Sequence, residues 1–255
     1  MSAADPRPDL TDDGILGGRL RLLQPRRGHR FGHDAVLLAA ATAAQPGDHV
    51  VEFGAGVGAA GLALAARVPE TRVTLVELNA DLCELAAENA RRNGLEQRVR
   101  ALTLDVTAPA EAFAAAGLQP GSAERVMMNP PFNDARRQQL SPDPGRAEAH
   151  GADTDTLARW CDAAGRLLVP GGTLTLIWRA DALADVLAAL APFGAVTVLP
   201  VYPRPGAAAI RVISAAVKGA RAPLRVAAPL MLNDADGRPS PAAEKILREA
   251  AALPL

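Results

Sequence analysis

The chain has 255 residues, 27 basic against 28 acidic side chains, a formal net charge of −1, and is 49% apolar with only 2 Trp, 1 Tyr and 5 Phe. It is too apolar and too evenly charged to be disordered, and its two cysteines, Cys83 and Cys161, exclude a disulfide framework and leave a reducing cytoplasm as the expected compartment. No membrane span is expected, because the longest apolar run, Phe53–Ala66, is about 14 residues, holds four glycines and falls short of the ~18 that a span needs.

Met1 to Asp13 is acidic, contains proline and has no apolar stretch of a signal peptide; it reads as a flexible, frayed arm. The rest, 14–255, reads as a single domain: an N-terminal block over 14–47, a core over 48–217 and a C-terminal extension over 218–255. Charge is uneven along it. Gly14–His33 holds Arg19, Arg21, Arg26, Arg27 and Arg30 with no acid; Val186–Asn233 holds Arg204, Arg211, Lys218, Arg221 and Arg225, again with no acid. Such segments suit a polyanion or are simply solvated surface. The chain also has 55 Ala, and 25 Arg against 2 Lys, which reads as coding bias.

In the N-terminal block, Arg19–Leu23 is a candidate edge strand and Asp34–Ala44 a helix. His49–Phe53 is a short apolar strand, followed by glycines and a helix to Val68. Arg72–Glu77 is the second core strand. Asn79–Asn93 carries Leu82, Leu85, Ala86 and Ala90 on one helical stripe and ends at Gly94, which supplies a left-handed cap. Arg98–Leu104 is the third strand, Ala108–Ala116 a weaker helix and Glu124–Met128 the fourth strand. Asn133–Gly151 reads as a mobile loop, Asp153–Leu168 as a helix, Pro170–Gly172 as a turn, Thr173–Trp178 as the fifth strand and Asp181–Ala191 as a helix. This alternation predicts a parallel sheet covered on both faces. Ala195–Val201 and Ala209–Val217 are joined by a connector too short for a crossover, so this last pair is expected to be antiparallel. Ser240-Pro241 opens a C-terminal helix, with an N-cap and a first-turn proline.

Two motifs carry chemistry. Glu52-Phe-Gly54-Ala55-Gly56-Val-Gly58 lies between the first core strand and its helix, where glycines let the backbone turn tightly and approach a ligand. Gly56–Gly61 also fits the dinucleotide fingerprint, with Glu77 about 20 residues on, so a nicotinamide-dependent oxidoreductase is an alternative. Asn129-Pro130-Pro131-Phe132 follows the fourth strand. The prolines stiffen the loop, so that the Asn129 side-chain oxygen and the Pro130 carbonyl can accept both hydrogens of one NH2 group. Phe132 would offer a stacking face worth ~1–3 kcal/mol per base.

The first motif resembles the E-x-G-x-G-x-G pattern of class I S-adenosylmethionine-dependent methyltransferases, and the antiparallel last strand is similar to theirs. The resemblance implies an α/β, Rossmann-like fold with a seven-stranded, mostly parallel sheet. It implies S-adenosylmethionine as cofactor, S-adenosylhomocysteine as product and no metal. The loop from Gly54 to Gly58 (Gly54, Ala55, Gly56, Gly58) would wrap the methionine part, Glu77 would accept from the ribose hydroxyls and Asp105 from the adenine amino group, with Glu52, Asn79 and Asn129 also among the expected cofactor residues. Glu77 is otherwise a surface carboxylate near Arg72; Asp105 is otherwise a cap of the next helix, with Thr107 an alternative cap.

The tetrapeptide resembles the [NDS]-P-P-[FYW] signature of amino-group methyltransferases, which makes Asn129, Pro130, Pro131 and Phe132 the candidate catalytic residues. Leu23–Leu38 and Lys218–Leu232 resemble blocks of the bacterial valine-tRNA adenine-N6-methyltransferase group. That resemblance implies transfer to adenine N6 beside a tRNA anticodon, with Phe31 and Asp34 near the cofactor; Asp34 is otherwise the N-cap of its own helix. The group more often has Tyr than Phe in the tetrapeptide and a small hydroxyl residue at His33. Phe also occurs in guanine-N2 enzymes, so guanine N2 in RNA, or a release-factor glutamine, stands as an alternative, as does a non-catalytic RNA-binding module. Arg26, Arg27, Arg30, Arg136 and Arg137 are the candidate RNA-phosphate contacts. Oligomeric state is not legible in the sequence.

Overall fold

The computed structural model describes residues 9–27, 30–131 and 145–255, and over 145–154 the backbone course alone. Eight strands form the path of the main sheet in the order β10-β8-β9-β7-β6-β3-β4-β5, with β11 also on β8. Five parallel strands are β3 (His49–Phe53), β4 (Arg72–Glu77), β6 (Ala123–Met128) and β7 (Leu168–Arg179), which lie inside the sheet, and β5 (Val99–Thr103), which forms its edge. β8 (Gly194–Tyr202) and β9 (Arg211–Val217) follow, with β9 antiparallel to both β7 and β8. These are the seven strands expected. Two two-residue strands, β10 (Arg225–Val226) and β11 (Leu230–Met231), add to the outer edge of β8.

The inner strands are apolar on both faces because both faces are covered. Val50, Leu75, Met127, Ile177 and Ile213 pack into one core with α1 (His33–Ala41), α2 (Ala59–Arg67), α3 (Ala80–Arg92) and α7 (Pro241–Glu249). Val51, Phe53, Val76, Met128 and Trp178 pack into the other, with α4 (Ala110–Ala115), α5 (Gly145–Leu167) and α6 (Leu183–Ala189). α3 ends as its sequence predicts, with Gly94 at φ 66° beyond it, and starts at an N-cap not expected from the sequence, Asn79 accepting from the Leu82 N–H at 3.1 Å. Ser240 likewise caps α7, accepting from the Ala243 N–H at 3.0 Å.

Three expectations change. Leu10–Asp13, expected in the frayed arm, belong to β1 (Leu10–Ile15), which pairs antiparallel with β2 (Leu20–Pro25). That hairpin is a separate two-stranded sheet, so β2 is not an edge of the main one. Its alternation buries Leu20, Leu22 and Gln24, while Arg21 faces out. Second, α5 starts at Gly145, within the stretch expected as a loop. Third, the turn at Pro170–Gly172 lies inside β7 as an irregularity in its pairing with β6, with Gly171 at φ 77°.

Side-chain amides of α3 hold the hairpin in place. Asn89, fully buried, accepts from the Leu23 N–H at 2.7 Å and donates to the Leu23 carbonyl at 2.9 Å and the Val57 carbonyl at 3.0 Å. Asn93 makes the same two-way exchange with Arg21 at 3.0 and 2.9 Å. Two carboxamides thus stand in for a neighbouring strand, satisfying backbone groups of β2 that would otherwise lack partners. Among the described residues, no helix is long and apolar enough to cross a membrane.

Candidate active site

Parallel strands bring their carboxyl ends to one edge, and the order in which strands are added reverses at β3, which lies between β4 and β6. Phe53 pairs with Val76 on one side and Met128 on the other. The next residues, Gly54, Glu77 and Asn129, therefore leave the sheet side by side. Thr103 pairs with Glu77, which brings Asp105 to the same edge two residues later.

The glycine loop is built on left-handed backbone: φ is 66° at Gly54, 55° at Gly56 and 84° at Gly58. Space separates their roles. A Cβ on Gly54 would lie 2.7 Å from Cη2 of Trp160, and one on Gly58 2.9 Å from the Leu75 side chain. In α2, a Cβ on Gly61 would lie 2.3 Å from Leu75 and 2.7 Å from Glu52 Oε2. A Cβ on Gly56 would meet nothing within 4 Å. Three of the glycines are thus required by packing; Gly56 presents open backbone where a ligand can approach. Phe53, Phe113 and Trp160 form an edge-to-face cluster beneath the loop, with centroids 6.1 and 6.2 Å apart. This use of the scarce aromatics is not legible in the sequence, because it depends on tertiary packing.

Glu52 lies under the loop and is only 4% exposed. Its Oε2 accepts from the Gly61 N–H at 2.7 Å, tying β3 to the first turn of α2. Burial pushes its carboxyl up to about 8; the Gly61 N–H opposes this and the charge of Glu77 adds to it. Ala55 is also buried, its N–H donating to the Val76 carbonyl at 3.0 Å.

Glu77 turns onto the loop instead of toward Arg72, which sits at the opposite end of β4. Its Oε2 accepts from the Gly56 N–H at 2.7 Å and its Oε1 from the Asn79 N–H at 2.9 Å. Between Glu77 and Asn79, Leu78 is 67% exposed, an apolar side chain held at the carboxyl edge that sequence reasoning passed over. Asp105 is exposed and accepts from the Thr107 N–H at 2.7 Å and hydroxyl at 2.8 Å. It does not cap the next helix, and neither does Thr107: α4 begins after Pro109.

On the other side of Gly54, Asn129 is half-buried, Pro130 buried and Pro131 exposed. Among the described residues, nothing hydrogen-bonds the Asn129 carboxamide. Phe132, Arg136 and Arg137 lie outside the described residues.

The N-terminal block is arranged differently from expectation. Phe31 is partly buried against the first core, its N–H donating to Gln24 Oε1 at 3.2 Å. Gly32 precedes α1 as its cap, so Asp34 is a first-turn residue and not the N-cap. Its carboxylate pairs with Arg211 on β9 at 2.8 Å, three strands from Gly54. Two of the arginines expected to meet phosphate are paired internally. Arg26 pairs with Asp9 at 2.9 Å. Arg30 pairs with Asp13 at 2.9 Å and also donates to Thr11 and the Pro25 carbonyl. Arg27 is exposed. Among the described residues there is no group of His, Cys, Asp and Glu that could hold a metal ion. Cys161 is buried, its thiol pushed up to about 12 by burial and by the charge of Asp162.

A family model, the methyltransferase small domain, matches residues 30–199. The chain is 31% identical over 150 residues to ribosomal RNA small subunit methyltransferase C of Pseudomonas aeruginosa, covering 58% of this chain and 37% of that protein. It is 30% identical over 161 residues to the tRNA1(Val) (adenine(37)-N6)-methyltransferase of Porphyromonas gingivalis, covering 62% of this chain and 61% of that one. These matches thus span less than two thirds of either curated relative. Among solved structures, a predicted O-methyltransferase from Agrobacterium tumefaciens superposes with a TM-score of 0.74 at 31% identity, over 87% of this chain and 99% of that one.

Proposed function

The chain belongs to the methyltransferase small domain family; from that premise we propose that it is an S-adenosylmethionine-dependent methyltransferase acting on an exocyclic amino group of an RNA base, adenine N6 in tRNA beside the anticodon. The observation that carries this reading is Asn129-Pro130-Pro131 leaving β6 directly beside the glycine loop, with the Asn129 carboxamide not engaged by any described residue.

The cradle suits the cofactor. Gly56 leaves its backbone open, Glu77 stands between the loop and α3 with two carboxylate oxygens, and Leu78 offers an apolar face beside it. In this reading the loop Gly54–Gly58 holds the methionine part, Glu77 and Asn79 the ribose, and Asp105 the adenine amino group. Glu52 acts beneath the surface, fixing the loop through Gly61 and not by contact. When bound, S-adenosylmethionine supplies an electrophilic methyl group.

The chain's own task is then to prepare the nucleophile. An exocyclic amino nitrogen attacks poorly because its lone pair is delocalised into the ring. The Asn129 side-chain oxygen and the Pro130 carbonyl accept its two hydrogens and hold the lone pair toward the methyl. As positive charge develops on the nitrogen, these fixed dipoles stabilise it without reorganising. Phe132 stacks on the base.

Asn129→Ala tests this. Turnover is expected to fall by about 100-fold or more, the scale of losing one preorganised dipole, while S-adenosylhomocysteine still binds by calorimetry. Unchanged turnover would remove Asn129 from the chemistry. Guanine N2 in RNA is the second reading, because Phe in the tetrapeptide also occurs in guanine-N2 enzymes, and a relative named for ribosomal RNA is as similar as the tRNA one. The same acceptor pair serves either amino group. In both readings the partner is RNA and the setting cytoplasmic.

A further inference from the structure

The two acid-free segments differ in what surrounds them. In the first, acids just ahead of the segment pair with three of its arginines: Asp12 with Arg21 at 3.2 Å (and with Arg92 of α3 at 2.7 Å), Asp13 with Arg30, and Asp9 with Arg26. Three of the five arginines of that segment are thereby neutralised, while Arg19 and Arg27 have no ion pair among the described residues. In the second segment, Arg204, Arg221 and Arg225 are all exposed, and none has an ion pair among the described residues.

These three cations lie along one border of the molecule. Ala222 accepts from the Ala195 N–H at 3.0 Å, which sets Arg221 beside the start of β8. Close approach there needs Gly194, whose Cβ would lie 2.0 Å from the Ala220 carbonyl oxygen. Arg225 pairs in register with Thr197, and Arg204 follows the carboxyl end of β8 at Tyr202. At about 3.3 Å per residue, the line from Gly194 to Tyr202 runs roughly 26 Å and ends on the edge that carries Asn129. From β8 to β6 it is three strand spacings, roughly 14 Å.

The same border is unsuited to another protein strand. β10 is two residues long and lies between Pro223 and Pro229, each without an N–H donor. Short edges with proline and charge resist strand addition. An extended row of unneutralised guanidinium groups that cannot template a strand fits a polyanion whose charges are also in a row.

We infer that the outer border of β8, through Arg204, Arg221 and Arg225, is the surface that grips the RNA backbone, and that the N-terminal hairpin is not. This rests on the RNA reading given above. Phosphates held at the border would leave the intervening nucleotides to cross the carboxyl edge, so that a splayed base reaches Asn129.

The test is binding of an unmodified tRNA transcript, with S-adenosylhomocysteine present, between 50 and 200 mM salt. Each phosphate contact contributes about 0.7–0.9 to the slope of log affinity against log salt. The Arg204→Gln/Arg221→Gln/Arg225→Gln protein is expected to lose about 2–3 from that slope. A control protein losing three ion-paired exposed arginines, Arg21→Gln/Arg91→Gln/Arg248→Gln, is expected to keep it. S-adenosylhomocysteine affinity should be unchanged in both, which reports an intact fold. If the parent binds steeply and the border variant keeps the full slope, the border is not the surface. If the parent itself shows no salt-dependent RNA binding, the RNA reading fails and takes this inference with it.

Discussion

At the residue scale, Glu52 has a cost that pH reveals. Its carboxyl is raised to about 8 in the folded chain from an ordinary value of 4.5. Below pH 4.5 it is protonated folded and unfolded alike. Between 4.5 and 8 only the unfolded chain releases the proton, so stability falls as pH rises and levels off above 8. The expected loss from this group is on the order of 3–5 kcal/mol. Glu52→Gln keeps an oxygen for the Gly61 N–H and has no proton to release. Its denaturation midpoint should therefore change less between pH 5 and 8.5 than that of the parent. Equal pH dependence in the two proteins would mean that Glu52 is already ionised in the fold. The spacing Glu52-x-Gly54-x-Gly56-x-Gly58 identified the loop in the sequence, but not that Glu52 works from below it. Burial of a carboxylate depends on what packs above, here α2, and spacing carries no information on that. Asp34 was legible only as acidic and near a helix start; its partner Arg211 is far along the chain.

At the element scale, two glycines of the same motif should respond oppositely. Gly61→Ala forces a methyl against Leu75 and Glu52 and should cost about 1–3 kcal/mol of stability, as overpacking does. Gly56→Ala meets no atom but keeps a left-handed φ, a strain of about 1–2 kcal/mol. Its larger effect should be on S-adenosylhomocysteine affinity, because its methyl would occupy the open face. Thermal melts with and without ligand separate the two. A ligand affinity untouched in Gly56→Ala would show that the cofactor does not approach there. The inner strands were legible because doubly buried parallel strands are continuous apolar runs: His49–Phe53 and Arg72–Glu77 are bounded as the sequence predicts. β1 was not. Leu-Thr-Asp-Asp-Gly has little strand propensity, and what holds it is non-local: pairing with β2 and ion pairs from Asp12 and Asp13 to arginines beyond the turn. Asn89 and Asn93 were read only as polar positions of a helix; their exchange with β2 depends on tertiary contact.

At the scale of the whole molecule, a net charge of −1 conceals a sorted surface. Three of the five N-terminal arginines are paired with Asp9, Asp12 and Asp13, whereas Arg204, Arg221 and Arg225 on the C-terminal border have no ion pair among the described residues. Segment charge alone could not tell the two apart, since pairing is set by the fold. The family, the sheet order and the edge that carries the glycine loop fit methyl transfer, and Asn129-Pro130-Pro131 beside that loop is the ground for proposing an amino nitrogen as the acceptor. The most direct test of that account supplies the enzyme with S-adenosylmethionine labelled in its methyl group and with RNA from a host that lacks this gene. The RNA is then digested to nucleosides and the labelled one identified. The account predicts label in N6-methyladenosine from the tRNA fraction. Label in N2-methylguanosine would move the substrate to the second reading, and an RNA pool that takes up no label would contradict the account.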